Sequence, residues 1–595
     1  MTPMAKAIYV CSKEGSLDSK DKEKILVICE ALEPDNINSE VEHRSSIDRD
    51  VGYGIMNYQP SITIAGNSVL LGRLYEENKK WDEPSTNFPD GSYAIFRENE
   101  DYLEVVTDPA GSRTIWYYFD DDLFLASTSQ RAILMFLGNF VFDERVIPWM
   151  LSAGTLGPEY SWDKRLQRVP LNSSVVLDKK KWLISQKRNQ IEFDVKDRSR
   201  EEHKELLEEA FEETMKSFQN LDLNEAVLTL SGGTDSRALL CLLDEHTDIS
   251  EYLTNITWGV EKSIEEEGYD AYVARKLANK FDVPHKFYNL ENRDESIEKV
   301  IDRYLRCSEG RIDQPFGFMD GMKVWKDLLK EDLTEAIRGD SGFNSGPTSS
   351  ERIIRVWYDA GLCSDFSNLK DIIDKFDLPE QKFPKKLERD ENESFINWKD
   401  KVYQNYRFTT ILAAYSDVKY SYVEQINPLL SRKILERWRE LPDHLRADKS
   451  LFEEIVNSWS PDVPYAKKSG LLKPDDVLRD EELIDLIQNK IQSECALNLF
   501  NQEFIDHILE GITKEGSSAN SSESSSLRKK LKELIPKPIE KSIFKDCIYK
   551  SDVLTNFYFS IAPPAVDNYR LAFRVYILIR MCEILKNDAD RLKDI

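Results

Sequence analysis

The chain has 595 residues, enough for roughly two to four domains and a substantial apolar core. Its 80 Lys+Arg stand against 107 Asp+Glu, a formal charge of −27, which repels a polyphosphate backbone and excludes nucleic acid as a default partner. A hydrophobic share of 41% with 11% aromatics is that of a folded protein, and no run reaches the roughly 18 apolar residues of a membrane span.

Taken in chain order, the opening MTPMAKAIYVCSKEG lacks the apolar segment and small-residue cleavage site of a secretory signal, so the chain is read as cytoplasmic. Cys11, Cys29, Cys241, Cys307, Cys363, Cys495, Cys547 and Cys582 form no CxxC pair, which argues against a zinc site or disulfide framework and for reduced thiols. The six histidines show no HExxH spacing, so any metal is expected to be hard and oxygen-bound.

Residues 51–178 are rich in β-branched and aromatic runs (SITIAG, YAIF, YLEVV, TIWYYF, LFLAS, SSVVLD) between Gly, Pro, Asp and Asn turns, the pattern of an antiparallel β layout. From about residue 199 helical stretches alternate with short apolar runs: EEHKELLEEAFEETMKSF, EAVLTL, RALLCLL, NITWGV and YDAYVARKLANKF. That alternation predicts a parallel α/β sheet. The boundary is placed in the polar segment 185–200, giving units 1–195 and 196–595. Two polar stretches, 379–394 and the Ser-rich 517–526, are expected to be mobile for want of apolar surface to bury.

The residues richest in chemistry are Ser231-Gly232-Gly233-Thr234-Asp235-Ser236, which follow the apolar strand Ala226–Leu230 and precede a helix expected over Arg237–Leu243. A strand, a Gly-rich turn and a helix N-terminus make an anion cradle of backbone N–H groups at the positive end of a helix dipole. Ser231 and Ser236 can add hydroxyl donors. Asp235 repels phosphate unless a cation such as Mg²⁺ lies between them.

This loop resembles the asparagine synthetase family, among the ATP pyrophosphatases whose signature is SGGxDS and which cleave ATP to AMP and pyrophosphate. The resemblance extends through ITWGV (256–260), which looks like the family's second strand facing adenine, and EGYDAYVARKLANKFDVPHKFY (267–288). It implies ATP and Mg²⁺ as cofactors, with Leu230, Ser231, Gly232, Gly233, Asp235, Ser236, Trp258, Gly259 and Gly339 around the nucleotide. Where the family has a loop resembling SGEGADELFGG, this chain has EAIRGDSGFNSG (335–346). One register makes Asp340 a metal ligand opposite Asp235 and places Phe343 on the family's phenylalanine. The other makes Asp340 the acid/base and puts Phe343 at the metal-ligand position. The first is preferred because it keeps two carboxylates for Mg²⁺.

Further on, Glu424 to Ser431 resembles the family's EVRVPFLD, with Glu424 and Pro428 retained and the Arg and Asp lost, so the acceptor carboxylate is not aspartate or is bound differently. Glu424 is carried over as a catalytic candidate. Residues 441–471 resemble the stretch ending in a Lys-x-Gly loop, which makes Lys468 the catalytic lysine, with Lys467 as its neighbour in reserve. An ammonium beside the α-phosphate stabilises the charge that develops there.

The segments DGSYAIF, LEVVTDPAGSRTIWYYF, LFLASTSQRAIL and RLQRVPLNSSVVLD resemble the family's class II glutamine amidotransferase domain, whose nucleophilic cysteine follows Met1; here Thr2 holds that place, and Cys11 is a poor substitute. The resemblance thus implies an α+β antiparallel sandwich (Ntn-hydrolase-like), degenerate as a glutaminase. An α/β parallel-sheet ATP-pyrophosphatase domain (adenine nucleotide α-hydrolase-like) follows it. It further implies adenylation of a carboxylate and amide formation with an amine, in the manner of β-lactam synthetases and lasso-peptide cyclases. Ammonia-dependent amidation of a small acid, such as aspartate or a uronic acid, and a scaffold without activity are the alternatives, and a homodimer stays open. The helix 568–586 resembles the family's closing apolar helix, and the basic stretch 527–550 is read as a solvated face.

Overall fold

The computed structural model describes residues 6–13, 15, 17–37, 42–57, 62–219, 223–249, 253–344, 351, 354, 366–518 and 566–593. Thr2, the Ser-rich stretch beyond residue 518 and the basic stretch 527–550 lie outside them.

Twelve strands form two antiparallel sheets in the first third of the chain. They are β1 (Ala7–Ser12), β2 (Arg44–Asp48), β3 (Val51–Ile55), β4 (Thr63–Ala65), β5 (Ser68–Leu74), β6 (Gly91–Glu98), β7 (Tyr102–Thr107), β8 (Trp116–Phe119), β9 (Leu123–Ser127), β10 (Gln167–Arg168), β11 (Ser173–Asp178) and β12 (Leu183–Arg188). One sheet runs β10-β8-β9-β1-β3-β2, the other β12-β11-β7-β6-β5-β4. Alternate residues of each sheet meet in a shared core: Tyr9 stacks on Phe96 with ring centroids 5.6 Å apart, and Ala7, Cys11, Tyr53 and Val105 join them. The intervening residues Ile8 and Val10 face the other way, toward the helices Ser19–Leu32 and Gln130–Leu137. Period-two alternation with both faces covered makes this an α+β antiparallel sandwich.

The third sheet is wholly parallel: β13 (Ala226–Thr229), β14 (Thr254–Gly259), β15 (His285–Asn289), β16 (Glu335–Ile337) and β17 (Glu424–Ile426), in the order β15-β14-β13-β16-β17. Strand order reverses between β13 and β16, so connections leave that point in opposite directions and open a crevice at the strands' carboxyl ends. The parallel α/β sheet is the architecture expected from the alternating pattern.

Two expectations need correction. The helix after β13 begins at Thr234 and runs to His246, three residues earlier than read from the apolar pattern, because Gly233 is its N-cap. Residues 379–394 are not set apart from the core: Gln381 and Leu387 are buried, and Trp398 donates its indole N–H to the Leu387 carbonyl at 2.8 Å. Leu387 and Phe383, two apolar residues in a polar stretch, anchor it to the cluster around Trp398.

The helix Asn568–Asp590 closes the molecule and is buried along most of its length. Its Arg131–Asp588 pair (2.6 Å) ties it to the first third of the chain, and Arg574 reaches Asp313 (2.6 Å) and the carbonyls of Leu151 (2.8 Å) and Ser152 (2.9 Å). Among the described residues no helix is long and apolar enough to cross a membrane. Arg574 and Asp313 have side chains only 1% exposed. Replacing Arg574 by Ala leaves a buried carboxylate uncompensated, so the expected loss is about 3–5 kcal/mol of stability by chemical denaturation.

Candidate functional site

The crevice at the switch point is a cleft of about 260 Å³, lined by residues that include Leu230, Ser231, Asp235, Trp258, Arg338 and Asp340. Its floor is set by backbone. Leu230 donates its N–H to Ile256 (2.9 Å) and accepts from the Thr257 hydroxyl (2.6 Å), which fixes where β13 ends. The chain then turns through Ser231 to Gly233 into the helix Thr234–His246. Ser231 N–H donates to Ser236 Oγ (3.0 Å), and the two hydroxyls lie 2.9 Å apart. Gly233 offers no side-chain cap, so the first-turn N–H groups stay available to an anion.

Two glycines are required by close approach. A Cβ on Gly339 falls 2.8 Å from the Ser236 nitrogen, and one on Gly232 falls 2.4 Å from the Ala466 Cβ. The first contact presses the loop after β16 onto the helix N-terminus. The second lets the segment 466–471 lie over the phosphate loop.

The charged groups come in pairs. Both oxygens of Asp235 face Lys449 Nζ, at 3.1 and 2.9 Å, and Oδ1 also accepts from the Ser341 hydroxyl at 3.0 Å. Asp340 accepts from Arg338 Nε (3.0 Å) and Nη2 (3.3 Å). Burial disfavours the Asp340 carboxylate, but Arg338, with the charges of Lys419 and Arg407, outweighs it and holds the carboxyl below its usual range. Phe343 packs in the core, 4.2 Å from the Trp438 ring and 4.5 Å from that of Phe452. A π-wound stretch, Tyr403–Leu412, braces this loop through Gln404, which donates to the Gly342 carbonyl at 3.2 Å.

Of the residues expected around the nucleotide, Leu230, Ser231, Gly233, Asp235, Ser236, Trp258 and Gly339 line the cleft, as does the metal-ligand candidate Asp340. Gly232 and Gly259 stand just behind, each packed against the overlying segment: Ala466 meets Gly232, and Gly470 meets Gly259. Two catalytic candidates are placed differently. Lys468 belongs to that segment, whose backbone is strapped by Ala466 N–H to Gly232 O (3.0 Å), Lys468 N–H to Gly268 O (3.0 Å) and Val260 N–H to Gly470 O (2.8 Å). Its ammonium lies 4.8 Å from the centroid of the Tyr269 ring at the exposed surface, and Leu471 is the segment's residue in the cleft.

Glu424 is not brought to the cleft. It pairs in register with Glu335 at the amino ends of β16 and β17 and forms an ion pair with Arg113. The cleft opens at the opposite ends of those strands, so this part of the expectation is corrected.

Lys449 is a site residue that nothing in its sequence context marks. It is the N-cap of the helix Ser450–Trp459 with φ 58°, next to Asp448 at φ 52°. A cation at a helix N-terminus opposes the dipole, and two adjacent left-handed non-glycine residues carry strain that surrounding structure must hold. Arg338, Ser341, Thr257 and Asp270 also line or contact the cleft without having been singled out.

Hard oxygen donors at the two strand ends, Asp235 and Asp340 with the hydroxyls of Ser231, Ser236 and Ser341, suit the chemistry of Mg²⁺. Each carboxylate already faces a protein cation, so metal binding at Asp235 requires Lys449 to turn away.

Residues 202–322 match the family model described as asparagine synthase. The match takes in the phosphate loop, β14 and β15 and stops before β16. No curated protein matches the chain by sequence. Among solved structures it is similar to the allosteric regulatory enzyme of purine biosynthesis (9% identity, 47% of this chain and 80% of that one, TM-score 0.21). It is also similar to glutamine phosphoribosylpyrophosphate amidotransferase from B. subtilis complexed with ADP and GMP (10%, 47% and 65%, 0.21). A third is the U34-tRNA thiolase NcsA from Methanococcus maripaludis (13%, 50% and 82%, 0.22). The architecture rests on the strand order itself.

His285 tests the cleft's packing. Its Nε2 lies 2.9 Å from Thr257 Oγ1, whose proton goes to Leu230, so the ring donates from Nε2 in its neutral form. Burial, with Arg275, pushes the imidazole down to about 4. The folded value lies below the unfolded one near 6.5, so the unfolded chain binds more protons between them and stability falls as pH drops through that window. The loss of melting temperature between about pH 7.5 and 5 is expected to be smaller in His285→Gln than in the parent.

Proposed function

We propose that the chain is an ATP-dependent ligase that activates a carboxylate by adenylation and joins it to an amine. The observation that carries this reading is the convergence, at one switch-point cleft, of an uncapped helix N-terminus, the carboxylates of Asp235, Asp270 and Asp340, and the cations Arg338 and Lys449 that face two of them. The asparagine synthase match over 202–322, which includes the phosphate loop, supports it. ATP enters as a substrate: a carboxylate oxygen attacks its α-phosphorus, pyrophosphate leaves, and the amine then displaces AMP from the acyl carbon with loss of a proton. When bound, Mg²⁺ neutralises phosphate charge.

The chain's own groups bind and orient. The N–H groups of the helix's first turn, Thr234 to Ser236, take phosphate oxygens, and Asp235 and Asp340 are the residues that would hold the metal. Lys449 exchanges Asp235 for the departing pyrophosphate, and Lys468 leaves Tyr269 to reach the α-phosphate. Trp258 offers an aromatic wall to the adenine.

For the amine, we favour one within the same substrate, giving a lactam or macrolactam. Cys11, the only cysteine near the described amino terminus, is buried in β1, and its thiol is pushed up to about 12 by burial and by Asp50. It cannot supply a thiolate. One observation favours a scaffold instead: Asp235 and Asp340, the two metal-ligand candidates, already hold protein cations.

The decisive measurement is pyrophosphate and AMP release from ATP, Mg²⁺ and a panel of amino acids and peptides bearing free carboxylates. Asp235→Asn and Asp340→Asn are each expected to abolish it with the fold intact, while Lys468→Ala lowers it by about 10². Near-parental turnover in either Asn variant rejects the two-carboxylate site, and a chain silent with every acid favours the scaffold. In a separate assay glutamine is expected to yield no glutamate, with or without ATP; release of glutamate restores ammonia transfer.

A further inference from the structure

A second cavity, of about 250 Å³, opens where the antiparallel sheets meet the segment 386–405. Arg168, Arg188, Lys386 and Lys401 line it, with the amides of Gln190 and Asn405, and no acidic residue is among its lining. In a chain of net charge −27, a hollow faced by four cations and no carboxylate departs sharply from the average surface.

The four cations are not equivalent. Lys401 is 2.8 Å from Glu393 and 3.6 Å from Asp390, and Lys386 is 2.5 Å from Glu159, so both have their countercharge. Arg168 has none. Its Nη1 donates to the Thr409 carbonyl (2.9 Å) and its Nη2 to the Pro158 carbonyl (2.6 Å), contacts that fix the guanidinium without neutralising it. Burial, and then the charge of Arg311, push Arg168 down to about 10. Arg188, at the exposed end of β12, makes no side-chain hydrogen bond or ion pair among the described residues.

Arg168 is half-buried and fixed by two carbonyls, and an oxyanion is the group that meets such a guanidinium with charge-assisted, forked hydrogen bonds. Leu171 and Leu387 give the same cavity an apolar wall. That suits a small molecule with a carbon skeleton as well as a charged end.

We propose that this cavity is a binding site, separate from the nucleotide cleft, for a small ligand bearing a carboxylate or phosphate group held between Arg168 and Arg188. The site does not depend on the chemistry assigned to the cleft.

The test is isothermal titration of the full chain at low ionic strength, where such contacts are least screened. The probes are citrate for the carboxylate source and inorganic phosphate for the other. Saturable one-to-one binding of at least one probe is expected. It should weaken at least threefold in Arg188→Gln and at least tenfold in Arg168→Gln, and stay unchanged in Lys449→Met, which reports on phosphate held in the cleft. Arg188 is exposed and its replacement leaves packing intact, so that variant decides the matter if Arg168→Gln proves unstable. Failure of both probes to bind, or binding that survives Arg188→Gln, overturns the proposal. Which probe binds identifies the anion class.

Discussion

Asp235 occupies the first turn of a helix whose free N–H groups already make that end positive, and Lys449 brings a full positive charge to within 2.9 Å of it. Held this way the carboxylate is compensated without a metal, and the strand ends on either side of the switch point can close on each other. Ser341 reaches across from the loop after β16 to the same carboxylate, so the two halves of the crevice share one ionic centre. The left-handed conformations of Asp448 and Lys449, the absence of a Cβ at Gly339 and the bracing by Gln404 all serve that juxtaposition.

The opposite ends of the same strands use ion pairs for a different purpose. Arg73 pairs with Glu335 at 2.7 Å and Arg113 with Glu424, joining the antiparallel sandwich to the amino ends of β16 and β17. Buried pairs recover their desolvation only when the geometry is good, which makes them better at fixing one arrangement than at adding stability. Glu424, read from its motif as catalytic, sits in this seam. Its sequence context is retained, while its contacts belong to domain packing.

Strand-rich and strand-helix textures were legible because period-two alternation and apolar runs are local properties, and the phosphate loop was legible because its glycines and hydroxyls are contiguous. Asp340 was found from a short loop, although its partner Arg338, two residues away, was passed over. Lys449 lies more than two hundred residues from Asp235, and nothing local tells which distant cation a carboxylate will meet. The exposure of Lys468 was equally invisible, since a loop's placement depends on what it is strapped to, here Gly268 and Gly232. Segment 379–394 misled in the other direction, because mean polarity hides the two apolar residues, Phe383 and Leu387, that anchor it.

The closing helix Asn568–Asp590 lies among groups from the first third of the chain, including Arg131, Leu151 and Ser152, and against Asp313 from the middle. A chain emerging from the ribosome folds its early segments first, yet the helical layer over β1 is covered by residues more than four hundred positions further along. That layer can reach its final packing only after residues 568–590 have been made, so its folding is tied to a distant part of the same chain.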